Sequence, residues 1–494
     1  MKSGPLTERE FLTGGRCLRR VYEARYAAGS TGGAFGEGIP GSTYSLRFTA
    51  EQAERVRAAA LAAYRDNSNY ELEVDVSAAG CHACVDILEH IGDGVVRPWV
   101  TQPSYHVKPQ TLERLRFQLF VLDQAGYSVS GGGAVCLIKD RERNGTIDPS
   151  SMFVERDCSR QLRGGGKPVQ ARVTRIQQAL AGDEPPPPCS DSGRCPVCSA
   201  SVHPPQAYPQ GGVDTRLESL FRGGGLAGKL RKAGHTDLLT VPPSQVPGRR
   251  QKLQLQALQS GTVHIDLPAL KAFLSGMHYP RVYLDFETVS QAIPPLSGVK
   301  PWEHVPVQFS VHRQEEAHAE PHHFDFVAEE LNDSSDPRPP LASSLAEVLE
   351  GAGSILVYSA AFERRVLKRL AYWVPEFADA FNRAVDLLID VQKPFVDFLY
   401  YDPRQGGKTG LKTVLPVVTG GEGHDRLEIS DGLEASLRWY YEYCQECADD
   451  DQPGVSRAEV RAVLAEYCAL DTAGLIQIVD RLETIVYGEN ESRE

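Results

Sequence analysis

The run Arg281-Val282-Tyr283-Leu284-Asp285-Phe286-Glu287-Thr288 places two carboxylates two residues apart. Its alternation predicts a strand, with Val282, Leu284 and Phe286 on one face and Tyr283, Asp285 and Glu287 on the other. Carboxylates so close repel each other unless a cation lies between them. Hard oxygen ligands of this kind suit Mg²⁺ or Mn²⁺. A lone Asp-x-Glu is more often a solvated strand face, so a metal site requires further acids elsewhere in the chain.

Two later segments supply them. From Arg457 to Leu482, Val460, Val463, Leu464, Tyr467, Leu470, Leu475 and Ile478 recur at steps of three and four, which predicts a helix. Tyr467 and Asp471, four residues apart, share one face of it. A carboxylate there can bind metal while the phenol one turn away positions a water. Between these segments, the apolar stretch Ser354–Val357 predicts a strand. The small residues Ser359, Ala360 and Ala361 then lead into a helix with Glu363 in its first turn, where the helix dipole favours negative charge. Asp386, in Val385-Asp386-Leu387-Leu388, is a possible additional acid.

Together these segments resemble the DEDD exonuclease superfamily over roughly residues 280–485. Asp285 and Glu287 match its first motif, Phe362-Glu363 its second, and Tyr467-x-x-x-Asp471 the third motif of its tyrosine subclass. Glu363 departs from the usual aspartate. The resemblance implies an RNase H-like fold and a two-metal 3′-5′ exonuclease acting on single-stranded DNA or RNA. It implies that Asp285 bridges two Mg²⁺ or Mn²⁺ ions and that Glu287 and Asp471 complete the first ion's shell. Glu363 then holds the second ion through water, and Tyr467 orients the attacking water. Pro306–Ser310, Asp336–Arg338, Gly410–Pro416 and Tyr467–Thr472 further resemble a bacterial family in which a RecB-like nuclease module with a cysteine cluster precedes the exonuclease-like module. Lys412, in Gly410-Leu411-Lys412, is a candidate phosphate contact, with an ordinary surface lysine as the alternative.

The chain has 11 cysteines. Cys189, Cys195 and Cys198 cluster after the Pro185–Pro188 run, and Cys17 stands alone near the start. In a cytoplasmic protein such a set points to metal or free thiols rather than disulfides. It resembles the one-plus-three cysteine set of iron–sulfur RecB-like nucleases, which implies a four-iron cluster, with Zn²⁺ as the alternative. The pairs Cys81/Cys84 and Cys444/Cys447 read as ordinary helix or strand cysteines, with zinc as the lesser alternative. Of the RecB-like catalytic residues, Asp86 matches the strand aspartate and Gln118 the helical glutamine. Val100-x-Gln102 stands where Glu-x-Lys belongs, and only a shifted alignment brings in Lys108. Without the second acid and the lysine, metal and water lose their partners. The expectation is a degenerate nuclease module retained for binding or structure.

The elements that must position these residues are those of an α/β chain. In residues 1–204, the expected RecB-like module, helices are predicted over Thr49–Arg65, Leu112–Ala125 and Arg172–Ala181. Strands are predicted over Tyr70–Val76, Cys84–His90 and Val129–Lys139. Residues 205–279 read as a helical connector, and residues 280–485 as the exonuclease-like domain with an RNase H-like mixed sheet. The length of 494 residues suits two or three domains. A net charge of −13 argues against a broadly basic nucleic-acid coat, though not against a metal-dependent nuclease with local basic stretches such as Arg156–Arg175 or Lys229–Lys252. No apolar run approaches membrane-spanning length and no signal-peptide core stands at the start, so a cytoplasmic protein without a membrane partner is expected. The rival expectation is a non-catalytic nucleic-acid-binding or scaffold protein of a DNA repair or antiviral defence system, with protein partners left open.

Overall fold

The computed structural model describes residues 4–26, 42–145, 149–164, 166–189, 212–421, 432–444 and 457–491. The chain is α/β and divides into two compact units. One is Met1–Ala207 with Ser290–Glu303, and the other is Tyr208–Val289 with His304–Glu494.

In the first unit, β1 (Leu6–Thr7), β2 (Tyr70–Ala78), β3 (Cys81–Gly92), β4 (Val95–Gln102), β5 (Ser128–Val129), β6 (Gly133–Leu137) and β7 (Phe153–Asp157) form a mixed sheet. Its path is β1-β3-β4-β6-β7, with β2 also on β3 and β5 also on β4. Two-residue turns set the central register. Ala79-Gly80 and Asp93-Gly94 all take positive φ, the backbone twist that tight antiparallel hairpins need.

The strand expected over Val129–Lys139 is split. β4 pairs with β5 at Val95 and Val96 and with β6 only from Trp99 onward, leaving a gap opposite Arg97 and Pro98. Pro98 has no amide proton to donate. A Cβ on Gly133 would fall 2.1 Å from the Trp99 ring, so only glycine fits where β6 resumes. Helices Pro109–Gln124 and Gly166–Ala181 bury Phe117, Val121, Val173 and Ile176 with Phe11, Val85 and Leu88 of the first core. Pro109 opens its helix at the position proline favours, three residues before the expected start. Helix Ser42–Tyr64 sets Ala60 and Leu61 against Ile87, Trp99 and Val135. Ser290–Glu303 is held within this unit. The Ala292 amide donates to Gln52 Oε1 at 2.9 Å, and the Trp302 indole donates to the Pro103 carbonyl at 2.9 Å.

The second unit contains β8 (His264–Ile265), β9 (Arg281–Ser290), β10 (His304–Gln314), β11 (His322–Val327), β12 (Ser354–Val357), β13 (Leu388–Asp390) and β14 (Tyr400–Tyr401). The main sheet runs β11-β10-β9-β12-β13, with β12 parallel to both β9 and β13, and β10 antiparallel to β11. The alternation of β9 divides two cores. Val282, Leu284 and Phe286 pack with helices Arg338–Leu349, Ala360–Trp373 and Ala378–Asp386. Tyr283 packs with Leu270, Val414, Leu475, Ile478 and Leu482.

The last of these residues lie on helix Arg457–Glu491, which kinks at Gly488. By length and composition Arg457–Gly488 is apolar enough to cross a membrane, contrary to the expectation that no apolar run reaches that length. Half of its most apolar window is buried within the protein, where Leu475, Ile478, Val479 and Leu482 serve the core. The stretch read as a connector belongs, where described, to this unit. Its helices Leu226–Lys232 and Arg249–Ser260 close a small core of Leu217, Leu230, Leu238, Leu255 and Leu258.

Candidate metal centre

Four elements bring acids and their partners together in the second unit. β9 presents Asp285 and Glu287, and the first turn of helix Ala360–Trp373 presents Glu363. Helix Arg457–Glu491 presents Tyr467, Cys468 and Asp471 at helical spacing. The Cys468 sulfur and one carboxylate oxygen each of Asp285 and Glu287 lie within 4.8 Å of one another. Glu287, Glu363, Cys468 and Asp471 are buried, while Asp285 keeps partial exposure. Helix Gly432–Arg438 closes the site: Ser436 Oγ donates to Glu287 Oε2 at 2.9 Å. A Cβ at Gly432 would stand 3.0 Å from Glu287 Oε1.

The electrostatics are those of crowded acids. Burial, then the charges of Asp471, Glu287 and Glu363, hold the Asp285 carboxyl well above the usual range. Burial, reinforced by Asp390, pushes Glu363 up to about 8, and its buried Oε2 has no hydrogen-bond partner. The Tyr467 phenol is raised by burial and by Asp471, Glu287 and Asp285. The Cys468 thiol is raised by burial and by Glu287, Asp285 and Asp471. Each shift reports an environment that disfavours negative charge.

Lys412 stands 5.3 Å from the centre of the Tyr467 ring, so this candidate phosphate contact is adjacent to the proposed water-positioning phenol. Asp386 does not join the centre as the additional acid. It is exposed at the end of helix Ala378–Asp386, and the acid whose charge acts on Glu363 is Asp390. Asp390 Oδ1 accepts the amides of Ser359 and Gln392, each at 3.0 Å. The first of these bonds steadies Ser359, whose φ of 72° is uncommon for a residue with a side chain. Behind Asp471, Thr472 Oγ1 meets His312 Nδ1 at 2.8 Å and Ser310 Oγ at 3.0 Å, tying the helix to β10. Cys468, Ser436, Asp390 and Thr472 escaped the sequence reading. For Cys468 a signal was present, since it lies three residues before Asp471 on the same helical face.

In the first unit the Asp86 carboxylate is buried and saturated. Oδ2 accepts the Thr101 amide at 2.8 Å and the Thr101 hydroxyl at 3.0 Å. Arg57 and Arg114 both reach Oδ1 at 3.2 Å. Arg114 also pairs with Glu8, whose carboxyl burial pushes up to about 7 despite that arginine. Gln118 donates to the Cys84 carbonyl at 3.0 Å and to Glu8 at 3.4 Å. Val100 is in an apolar cluster, and the Gln102 amide is spent on the His106 carbonyl and the Cys136 sulfur. Lys108 is exposed at the start of helix Pro109–Gln124. Two guanidinium groups thus supply the positive charge around Asp86. Of the cysteine set, Cys17 is buried with its sulfur accepting the Arg20 amide at 3.4 Å, and Cys189 is half-buried. Cys195 and Cys198 lie outside the described residues.

A family model described as a domain of unknown function (DUF2779) matches residues 282–410, a stretch that includes Asp285, Glu287 and Glu363 and stops before Tyr467 and Asp471. Among solved structures, the chain is similar to one titled "Crystal structure of SSO0001". That match has 18% identity and a TM-score of 0.25, and covers 42% of this chain and 87% of that one. No curated protein matches the chain.

Proposed function

We propose that the second unit is a DEDD-type, RNase H-like 3′-5′ exonuclease that hydrolyses single-stranded DNA or RNA with two Mg²⁺ or Mn²⁺ ions. The observation that carries this reading is the convergence of Asp285 and Glu287 with Asp471 and Glu363. Burial, reinforced by the charges of Asp471, Glu287 and Glu363, holds the Asp285 carboxyl high. A mixed sheet with its acids on the central strand and cores on both faces supports the fold assignment. The donor set fits the ions. Asp285, Glu287 and Asp471 are hard oxygen ligands, and Glu363 Oε2 is a buried oxygen awaiting a partner. When bound, such ions stabilise the entering and leaving oxygens of in-line phosphoryl displacement.

The side chains do the rest. Glu363, whose carboxyl is raised, would lose its proton on helping to hold an ion. The Tyr467 hydroxyl, held as a neutral phenol, positions the attacking water. Lys412 holds a substrate phosphate beside that phenol. Strand polarity follows from the resemblance to the DEDD superfamily. A Mn²⁺-dependent rise in melting temperature that Asp285→Ala abolishes is the expected result. A shift in neither protein would favour the scaffold reading.

A second reading applies to the first unit and rests on Asp86. With two arginines on its carboxylate, this unit serves as a degenerate RecB-like module that binds or scaffolds in a repair or defence system. Cys17, Cys189, Cys195 and Cys198 are its proposed thiolate set for a four-iron cluster or Zn²⁺. A cytoplasmic location is part of the same proposal.

A further inference from the structure

The acid centre contains one group that a site built for Mg²⁺ does not need. Cys468 is fully buried, and its sulfur lies within 4.8 Å of one carboxylate oxygen each of Asp285 and Glu287. Those two acids come from β9, the thiol from a helix more than 180 residues later in the chain. Ligand atoms of one zinc ion stand about 3.5 Å apart in a tetrahedral shell, so closing this trio on a cation takes movements of about 1 Å. Glu363 Oε2, on a side chain only 3% exposed and lacking a partner, adds a buried oxygen whose charge acts on Asp285. Carboxylates alone favour Mg²⁺ and Mn²⁺, whereas a thiolate selects Zn²⁺ and its heavier relative Cd²⁺.

We propose that Cys468, Asp285 and Glu287 form a site for a thiophilic divalent cation of the zinc class, which blocks the centre by taking the carboxylates that hydrolysis needs. The blocking role rests on the exonuclease reading; the site itself rests on the trio. On binding, the S–H bond of Cys468 breaks, a sulfur–metal bond forms and the proton leaves to the buffer. No electron is transferred.

The test uses the full-length protein, reduced and stripped with chelator, alongside Cys468→Ser and Asp285→Asn. Cadmium titration is followed by ultraviolet thiolate-to-metal charge transfer. The other cysteines are common to all three proteins and cancel in the difference. Free Mn²⁺, followed by its EPR signal, reports Mn²⁺ binding and its displacement by Zn²⁺. The wild type is expected to show an extra cadmium–thiolate band that both variants lack. Zn²⁺ is expected to displace Mn²⁺ from wild type at roughly ten- to a hundredfold lower concentration than from Cys468→Ser, the scale on which lost supporting groups weaken metal sites. Identical bands and equal displacement, with Mn²⁺ bound to both proteins, would overturn the thiol site and leave the hydrolytic centre standing. A band retained in Asp285→Asn would also overturn it. The cadmium difference without any Mn²⁺ binding would uphold the thiol site and remove the hydrolytic reading.

Discussion

Ser436 donates a 2.9 Å hydrogen bond to Glu287 across 149 residues of chain. It occupies Oε2 while a Cβ at Gly432 would crowd Oε1. The Ser436 bond restrains one oxygen of a flexible glutamate side chain in a site where position decides affinity. Ser436→Ala is expected to weaken Mn²⁺ binding by about tenfold, as loss of an outer-shell hydrogen bond does, with the fold intact. Titration calorimetry with Mn²⁺ checks this, and an unchanged dissociation constant would show that Glu287 needs no such support.

Asp285→Asn should act in opposite directions on stability and on metal binding. It removes an acid whose ionised form is disfavoured by burial and by the charges of Asp471, Glu287 and Glu363. The metal-free protein should therefore gain stability on the order of 1 kcal/mol, the usual size of relief at a strained functional site. The same variant should lose the Mn²⁺-induced shift in melting temperature. Calorimetric melting with and without Mn²⁺ reads both effects.

The raised carboxyl of Glu363 fixes the sign of a pH dependence. Its folded value of about 8 lies above the ordinary 4.5, so the native state holds a proton that the unfolded chain releases. The metal-free protein should therefore lose stability, by a few kcal/mol at most, as pH rises from about 4.5 to about 8. Asp285 contributes in the same direction. Glu363→Gln should flatten this slope. Mn²⁺ affinity should rise over the same window, because the ion competes with the proton. Chemical denaturation at a series of pH values, with chelator present, measures the first two effects.

In the first unit, Arg114 neutralises two acids at once, Asp86 and Glu8. Arg114→Ala should cost about 2–3 kcal/mol, less than a fully buried pair because Arg114 keeps partial exposure and Arg57 remains on Asp86. The loss should be smaller below pH 7, where Glu8 can take up a proton. Asp86→Ala should leave metal-dependent cleavage intact at a temperature where the variant is folded. If cleavage disappears in that variant while Asp285 variants remain active, the active site lies in the first unit.

What the sequence revealed of the site follows from distance along the chain. Asp285 and Glu287 share a strand face, and Tyr467 and Asp471 share a helix face, so period alone sets each pair together. Glu363 was visible because a strand, a small-residue turn and a helix start leave few places for a first-turn acid. Ser436, Asp390, Glu8, Arg57 and Arg114 were not visible, since each meets its partner only through tertiary packing. Asp386, a possible additional acid by sequence, lies four residues before Asp390, and the helix ends between the two with Asp386 turned to solvent. The broken strand at Val129–Leu137 was hidden similarly, because its cause is Pro98 and Trp99 on the neighbouring strand.

The central claim is metal-dependent hydrolysis at Asp285, and digestion of end-labelled single strands tests it most directly. DNA and RNA labelled at the 3′ or the 5′ end are incubated with wild type and with Asp285→Ala, in Mn²⁺ and in chelator. The account predicts stepwise shortening from the 3′ end in Mn²⁺ alone, lowered by roughly three orders of magnitude or more in the variant, as expected when several kcal/mol of metal-assisted stabilisation is lost. Intact strands in every lane with wild type that still binds Mn²⁺, or equal cleavage by the variant, would contradict it.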